Sequence, residues 1–370
     1  MRAPVIAAAT LAFVMAGGPA QSQEEGGLDE IRSELLGILQ ENGWKDARID
    51  QLSGSEELFE IKGLKASRKG ADGSPESVEI GSLTVEGVQP DDRWIRAESL
   101  RADGVKLVLA GNAIDIGVIY SKKPGLLDID IGRPSGTFEN VIVSKVSWSR
   151  DGHPIAALDE VYASADRWIG AYGVPGRLDL TAKGGISPLF PFLSMLGASQ
   201  GSGMISGEFG LKTSVSSSRG ELSAAASFAS AQSAWAASAI LTEFDTALFR
   251  AWFDRDNPEE DRSAEVSKSY ADAFDKEVAQ IGLKSFEVRG KGDGVAGGPI
   301  VAAVSAGLVA WIPGVAGPSA SSVLLDAVKT FATSPKSFSM SAFARNPVPV
   351  ADIVAGKGEP LSKFIFKASP

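Results

Sequence analysis

The chain has 370 residues, of which 44% are hydrophobic and 22% are charged, so it can bury a sizeable core in one large domain or two. It contains no cysteine and one histidine, which excludes disulfides, thiol catalysis and histidine-rich zinc sites. The net charge of −10 argues against a nucleic-acid partner, because binding to phosphates needs positive charge.

The first twenty residues have the pattern of a secretory signal peptide. Arg2 supplies a positive charge, residues 5–15 form an uncharged apolar run, and small residues follow at 16–20. The pattern predicts cleavage after Ala20 and a periplasmic protein; an uncleaved anchor is the alternative. The apolar run is shorter than the roughly 20 residues that span a bilayer, so we expect no transmembrane span in the mature chain.

Apolar residues at helical spacing predict amphipathic helices near both ends of the mature chain. The first stripe comprises Leu28, Ile31, Leu35, Ile38 and Leu39, and Gly43 is placed to end that helix. A second helix is predicted after the capping sequence at 257–260, with an inward face made of Val266, Tyr270, Phe274, Val278 and Ile281. A third is predicted over residues 321–332.

From Leu58 to about Phe228 the apolar period becomes two, in short segments separated by Gly, Pro, Asp and Ser, which predicts an antiparallel sheet. Two of the predicted faces consist of Ile142, Val146 and Trp148, and of Ile205, Phe209, Leu211 and Val215. Around Gly81 the apolar positions change phase, which predicts a β-bulge or a strand break. We therefore expect a bent or curled sheet.

Together these patterns predict an α+β fold, in which a mainly antiparallel, curled sheet of short strands packs on a few amphipathic helices. The predicted organisation is a signal peptide at 1–20, a helix with a β-rich region at 21–235, and an α+β region at 236–370. The last two regions are expected to share one sheet as a single large domain.

Residues 295–325 contain no charged side chain. Pro299 and Pro313 bracket thirteen residues within this stretch, or roughly 20 Å as a helix, against a hydrocarbon core of about 30 Å. We expect a short helix packed on the sheet; a membrane-interface segment and the wall of a ligand cavity are the alternatives. Its candidate core or ligand-contacting residues are Ile300, Val304, Leu308 and Trp311.

The chemistry-bearing residues form no catalytic constellation. His153 lies in a turn sequence, Arg150-Asp-Gly-His-Pro154, without a visible partner. The acidic run at 254–261 departs from a calcium loop, because Pro258 occupies a ligand position, and helix capping explains its acids. The glycine-rich run at 290–298 lacks the ending of a phosphate loop. We therefore predict no enzyme activity, no cofactor and no metal site.

Residues 85–88 and 95–107, which read Val-Glu-Gly-Val and Ile-Arg-Ala-Glu-Ser-Leu-Arg-Ala-Asp-Gly-Val-Lys-Leu, resemble the repeated strands of AsmA-like envelope proteins. Residues 334–338 and 346–350 resemble uncharacterised exported proteins of Gram-negative bacteria. The AsmA resemblance implies a β-groove that shields lipid tails. Two hypotheses follow: a periplasmic binding or carrier protein for a lipid-like ligand, or a structural or protein-interaction component of the cell envelope.

Overall fold

The structure of the protein is a computed structural model that describes residues 27–41, 43–55, 57–70, 73–91, 94–127, 136–169, 174–187, 204–216, 220–231, 233–244, 264–292, 322, 325–326, 337–355 and 360–369. The chain divides into two compact units, here called the N-terminal unit (to Asp166) and the C-terminal unit (from Arg167). The boundary near residue 235 in our domain prediction falls inside a strand of the C-terminal unit.

The N-terminal unit consists of one helix and consecutive antiparallel strands. Its elements are α1 (Gly27–Glu41), β1 (Lys45–Gly54), β2 (Leu58–Lys69), β3 (Pro75–Glu86), β4 (Gln89–Asp91), β5 (Trp94–Arg96), β6 (Ser99–Leu109), β7 (Asn112–Lys122), β8 (Gly125–Leu127), β9 (Gly136–Thr137), β10 (Asn140–Arg150) and β11 (His153–Ile169). The large sheet has the order β1-β2-β3-β6-β7-β10-β11, and β4-β5-β8-β9 form a second, small sheet.

The C-terminal unit is also built mainly from strands that pair with their sequence neighbours. Its elements are β12 (Val174–Ile186), β13 (Ile205–Ser216), β14 (Glu221–Ala229), β15 (Ser233–Thr242), α2 (Ala264–Gln280), β16 (Gly282–Gly292), β17 (Ser337–Pro349), α3 (Val350–Ala355), a 3-10 turn (Pro360–Lys363) and β18 (Phe364–Ser369). The described strands are hydrogen-bonded in the order β12 to β18, all antiparallel.

The predicted first helix is confirmed as α1. Leu35 and Leu39 lie on its buried face, each with 2% of its surface exposed, within the core of the N-terminal unit. The amide of Trp44 donates to the carbonyl of Leu39, and the amide of Gly43 to that of Gln40. These two bonds are a Schellman motif, which ends the helix at a glycine with φ of 79° and directs the chain into β1.

The phase change predicted at Gly81 is present, since Val78, Ile80, Leu83 and Val85 are all buried. It is neither a bulge nor a break, because β3 is continuous and its register with both neighbours is unchanged across Gly81. The same change occurs in the neighbouring strands at residues that lie side by side in the ladder. We call this row the crease; it comprises Asp50, Gly63, Gly81, Gly104, Gly117, Lys145 and Asp159.

The backbone of the crease alternates from strand to strand. Gly63, Gly104 and Lys145, on β2, β6 and β10, have φ of 64°, 64° and 57°. These three strands run in the same direction, because each is separated from the next by one antiparallel strand. In these three strands the residue of positive φ interrupts the regular alternation of side chains between the two faces of the sheet. Apolar residues before and after the crease therefore line the same core.

The crease corrects our assignment of faces in β10. We predicted that Ile142 shares a face with Val146, but the buried residues are Val143 and Val146, on either side of Lys145. A lysine gives no sequence signal of a left-handed residue, because that conformation is uncommon outside glycine. Strict alternation therefore gives the wrong face for Ile142, because the strand changes phase at Lys145.

The predicted fold class is wrong, because the described chain is nearly all β, not an α+β sheet of short strands on helices. Ten of the strands have eleven or more residues, and β11 has 17. Glycine is one of the residues expected to separate short strands, but Gly63 and Gly104 lie inside continuous strands at the crease. The predicted second helix is present as α2 (Ala264–Gln280), and its predicted capping sequence at 257–260 lies outside the described residues. Ser322, Leu325 and Asp326 of the predicted third helix are helical.

None of the helices in the described part of the chain combines the length and hydropathy needed to cross a bilayer. The proposed signal peptide at 1–20 lies outside the described residues, as do Ile300, Val304, Leu308 and Trp311. The acidic run at 254–261 also lies outside them.

Candidate functional site

The described residues contain no group of three or more His, Asp or Glu side chains that could hold a metal ion. His153 is exposed and follows the two-residue turn Asp151-Gly152 between β10 and β11. Both turn residues have positive φ, which matches the twist of the two flanking strands. The turn therefore accounts for the sequence around His153 without a catalytic role, and its indifference to function stays a prediction.

Most ionic contacts described in the N-terminal unit are solvent-accessible pairs; the exception is Arg68–Glu76, in which the Glu76 side chain is only 9% exposed. Lys122 Nζ lies 2.7 Å from Glu139 Oε1, and Lys123 Nζ lies 3.0 Å from Oε2. The hydrogen bond to Glu139 raises the pKa of Lys122, and the hydrogen bonds from both lysines lower the pKa of Glu139. The hydrogen bond to Asp103 likewise raises the pKa of Arg101. These shifts stabilise the charged forms, which is the pattern of surface ion pairs.

The two faces of the sheet in the C-terminal unit differ in charge. In the register of β12 to β18, one set of alternate residues contains no charged side chain, and we call it the apolar face. The opposite set, here called the charged face, includes Asp179, Lys212, Glu287, Arg289 and Lys367. Because side chains of a strand alternate between the two faces, the charged residues of these seven strands lie on one face and leave the other uncharged.

The apolar face is open at its centre. One row runs across six strands through Leu180, Leu211, Ala226, Ala237, Val288 and Met340. Met340 at one end is buried, but Leu211 has 37% of its surface exposed, and Ala226 and Ala237 are exposed as well. With Ala224 and Ala239 in the next row, the alanines of β14 and β15 form a floor of small side chains between larger ones. We call this surface the apolar trough.

Aromatic side chains flank the apolar trough along one side, in the neighbouring cross-strand row. The rings of Phe209 and Phe228 are 4.8 Å apart, and Phe228 covers Gly207 so closely that a Cβ there would lie 2.6 Å from its ring. Trp235 lies over Gly290 in the same way, with ring carbons 2.8 to 3.0 Å from a Cβ position. The bare backbone of each glycine lets a large ring lie flat on the sheet.

A second aromatic cluster lies on the apolar face at the β16 to β18 side. The ring of Phe286 is 5.7 Å from that of Phe364 and 6.1 Å from that of Phe366, in edge-to-face arrangements. Phe364 is buried, as are Ala342 and Ala344 on the neighbouring strand. This side of the face is therefore packed core, whereas β13 to β15 present accessible apolar surface.

The charged face carries an open groove with a volume of about 560 Å³. Two exposed large apolar residues line it, Phe343 and Ile365, with 49% and 53% of their surface exposed, and they are cross-strand partners. Ile240 lies in the same row, two strands away from Phe343, with Ser285 between them. The next row contains Glu287 and Lys367.

Searches of protein-family models and of curated proteins found no match to this chain.

Sequence reasoning missed both the apolar trough and the groove. In β14 the letters Ala224-Ala225-Ala226 are alike on the two faces, so hydrophobic alternation cannot say which alanine is on the apolar side. Only the strand register shows which face each alanine is on: it pairs Ala226 with Leu211 and Ala225 with Lys212. The available signal was the alternation of the neighbouring β13, where Phe209, Leu211 and Val215 were correctly assigned to one face.

Proposed function

We propose that the protein is an exported, periplasmic binding or carrier protein without enzyme activity, and that the apolar trough of the C-terminal unit binds a lipid-like ligand. The observation that carries this proposal is the accessible, uncharged centre of the apolar face at β13 to β15. The signal-peptide pattern of residues 1–20 supports the location. The resemblance to AsmA-like strands points to the same class of ligand.

The dimensions of the apolar trough suit a long acyl chain. Neighbouring strands are about 4.8 Å apart, so the part of the row that is not buried, from Leu180 on β12 to Val288 on β16, extends over roughly 19 Å. Each methylene that leaves water against such a surface contributes about 0.8 kcal/mol. A chain of about ten buried methylenes would contribute roughly 8 kcal/mol before the cost of association is subtracted.

The small side chains of the floor explain how a ligand could approach the sheet closely. Ala226 and Ala237 present only a methyl group above the backbone, whereas Leu211 and Val288 on either side extend further. A thin alkyl chain fits against such a floor because dispersion contacts need separations near 4 Å. Uncharged walls favour the tail of an amphiphile, since no described side chain on this face carries a charge that would pair with an ionic head group.

The test is native mass spectrometry of the full mature protein purified from the periplasmic fraction, with extraction and identification of any bound lipid. Ala237→Phe would place a ring in the apolar trough, and Ala236→Phe would place the same ring on the charged face of the same strand. Both positions are exposed, so both variants are expected to fold. We expect lipid with the unmodified protein and with Ala236→Phe, and at least about a tenfold lower lipid occupancy with Ala237→Phe.

Two results would contradict the proposal. One is a protein that carries no lipid and gains none when incubated with lipid vesicles. The other is equal loss of lipid in both variants at unchanged melting temperature, which would place any lipid elsewhere. A chain recovered from a membrane pellet with Met1 intact would refute the exported, periplasmic part independently.

The second candidate function, a structural or protein-interaction role in the envelope, is favoured by exposure of Phe343 and Ile365 on the charged face. Contiguous exposed apolar side chains with charged neighbours are typical of interaction sites. Retention of an envelope protein by the unmodified chain and not by Phe343→Ser would support this role. It uses the opposite face from the apolar trough, so the two functions can be tested separately.

A further inference from the structure

The groove on the charged face has two cross-strand rows with β17 at their centre. In the first, Ser285 on β16, Phe343 on β17 and Ile365 on β18 are direct neighbours. In the second, Glu287, Ser341 and Lys367 are direct neighbours. The acidic and basic side chains therefore lie on opposite sides of β17, one strand away from it in each direction.

Both charged groups of the second row have capacity for a further partner. Nε and Nη2 of Arg289 both contact Oε1 of Glu287, each at 2.7 Å, and Oε2 has no partner among the described residues. Lys367 forms no ion pair within the described part of the chain. An acceptor and a donor of opposite charge are thus available about 10 Å apart, two strand spacings, on one surface.

This arrangement is self-complementary under a two-fold axis. If two copies stack face to face with the axis parallel to β17, each β17 lies opposite the β17 of the other copy. β16 of each copy then lies opposite β18 of the other. Glu287 comes opposite Lys367 of the second copy, and the same pair forms a second time on the other side of the axis. Phe343 comes opposite Phe343 of the second copy, so that the two exposed rings would be buried against each other.

We propose that the charged face of the C-terminal unit is the interface of a two-fold homodimer, centred on β17. Phe343 is its apolar anchor, and Glu287 and Lys367 form two identical intermolecular ion pairs. The sheets would pack about 10 Å apart, the usual separation of stacked sheets. The dimer uses the face opposite to the apolar trough, so it is independent of the ligand proposed above.

Charge complementarity favours a second copy over a lipid as the occupant of this groove. An anionic head group at Lys367 would also face Glu287 in the same row, and a purely apolar ligand would desolvate both charges without pairing them. A second copy pairs both at once. Each charge of one subunit has its partner at the symmetry-related position.

The experiment measures the dimer dissociation constant of the full mature protein by analytical ultracentrifugation. Lys367→Glu and Glu287→Lys each place like charges opposite one another twice per dimer, and each is expected to weaken the dimer at least about tenfold. The double variant with both reversals restores opposite charges and is expected to recover most of the affinity. Lys291→Glu, which makes the same change of charge outside the groove, is the matched control and should leave the constant within about twofold.

Phe343→Ser provides a second test that does not alter charge. Its side chain is half exposed, so the fold should tolerate the change, and circular dichroism checks this. We expect a monomer at concentrations where the unmodified chain is dimeric. An unmodified chain that is monomeric throughout would overturn the proposal, as would a double charge reversal no better than the single ones. Loss of a bound anionic lipid from Lys367→Glu, with no change in molecular mass, would also overturn it and assign the groove to a ligand.

Discussion

The two units use the same strand architecture but differ in what happens to the apolar face. In the N-terminal unit Leu83 on β3 is fully buried, in a core that includes Leu35 and Leu39 of α1. In the C-terminal unit Leu211 on β13 keeps 37% of its surface exposed. An apolar sheet face becomes a stabilising core where other elements cover it, and remains a surface for binding where they do not.

The units also differ in how glycine is used. In the N-terminal unit, glycines of four adjacent strands lie in the crease, where the buried positions of each strand change phase. In the C-terminal unit, Gly207 and Gly290 are covered by Phe228 and Trp235. The first use keeps both halves of long strands facing one core, and the second supports aromatic rings along one side of the apolar trough.

The largest difference should come from truncating one leucine in each unit. Leu83→Ala removes a fully buried side chain and is expected to lower the free energy of unfolding of the N-terminal unit by about 3 kcal/mol. Leu211→Ala removes a side chain that is partly in water, and the expected loss is about 1 kcal/mol or less. Urea unfolding followed by circular dichroism measures both. Equal losses would show that the apolar trough is packed core.

A smaller change in the free energy of unfolding is expected at the crease. Gly63 has φ of 64°, and a Cβ there would overlap the carboxylate of Asp50, so Gly63→Ala should cost about 2 kcal/mol. The control is Gly37→Ala in α1, where the added methyl meets no atom within 4 Å. There the same substitution should stabilise the protein by roughly 0.5 to 1 kcal/mol, because alanine favours helix. Thermal melts that shift in the same direction would refute this account of the crease.

Among the described residues of the crease, Lys145 is the only non-glycine residue with a positive φ. Substitutions at Lys145 test whether the backbone is strained there. Lys145→Gly relieves a left-handed backbone that costs about 1 kcal/mol, although part of the gain is offset by the entropy of glycine. Lys145→Val places a β-branched residue there and should be destabilising by about 1 kcal/mol or more. The two melting temperatures should therefore lie on opposite sides of that of the unmodified chain. If both variants are less stable, the lysine side chain itself matters at this position.

The sequence predicted the elements whose signals are local. The stripe of α1, its end at Gly43 and the phase change at Gly81 were all recognisable from spacing and glycine chemistry. The fold class was missed because glycines inside strands look like strand boundaries, and only the register shows that they form one row. The apolar trough could not be predicted, because it depends on which neighbour lies opposite each alanine.

The smallest expected effect concerns an exposed ion pair of the N-terminal unit and depends on pH. Hydrogen bonds from Lys122 and Lys123 lower the pKa of Glu139 below its ordinary value of about 4.3. A carboxylate with a lowered pKa contributes stability that is fully present above the unfolded value and is lost as pH falls through the folded value. Glu139→Gln should therefore be slightly less stable than the unmodified chain at pH 7, and the difference should disappear as the pH falls below the lowered value.

The raised pKa of Lys122 acts at the other end of the range, because its contribution is fully present below the unfolded value and is lost only as pH rises through the folded value. The difference in stability between the unmodified chain and Glu139→Gln should thus stay constant from about pH 6 to pH 9, since neither Glu139 nor Lys122 titrates there. High salt should reduce it, because the pair is accessible to solvent. A difference that persists at pH 2 would mean that the Glu139 side chain stabilises the unit through packing and not through its charge.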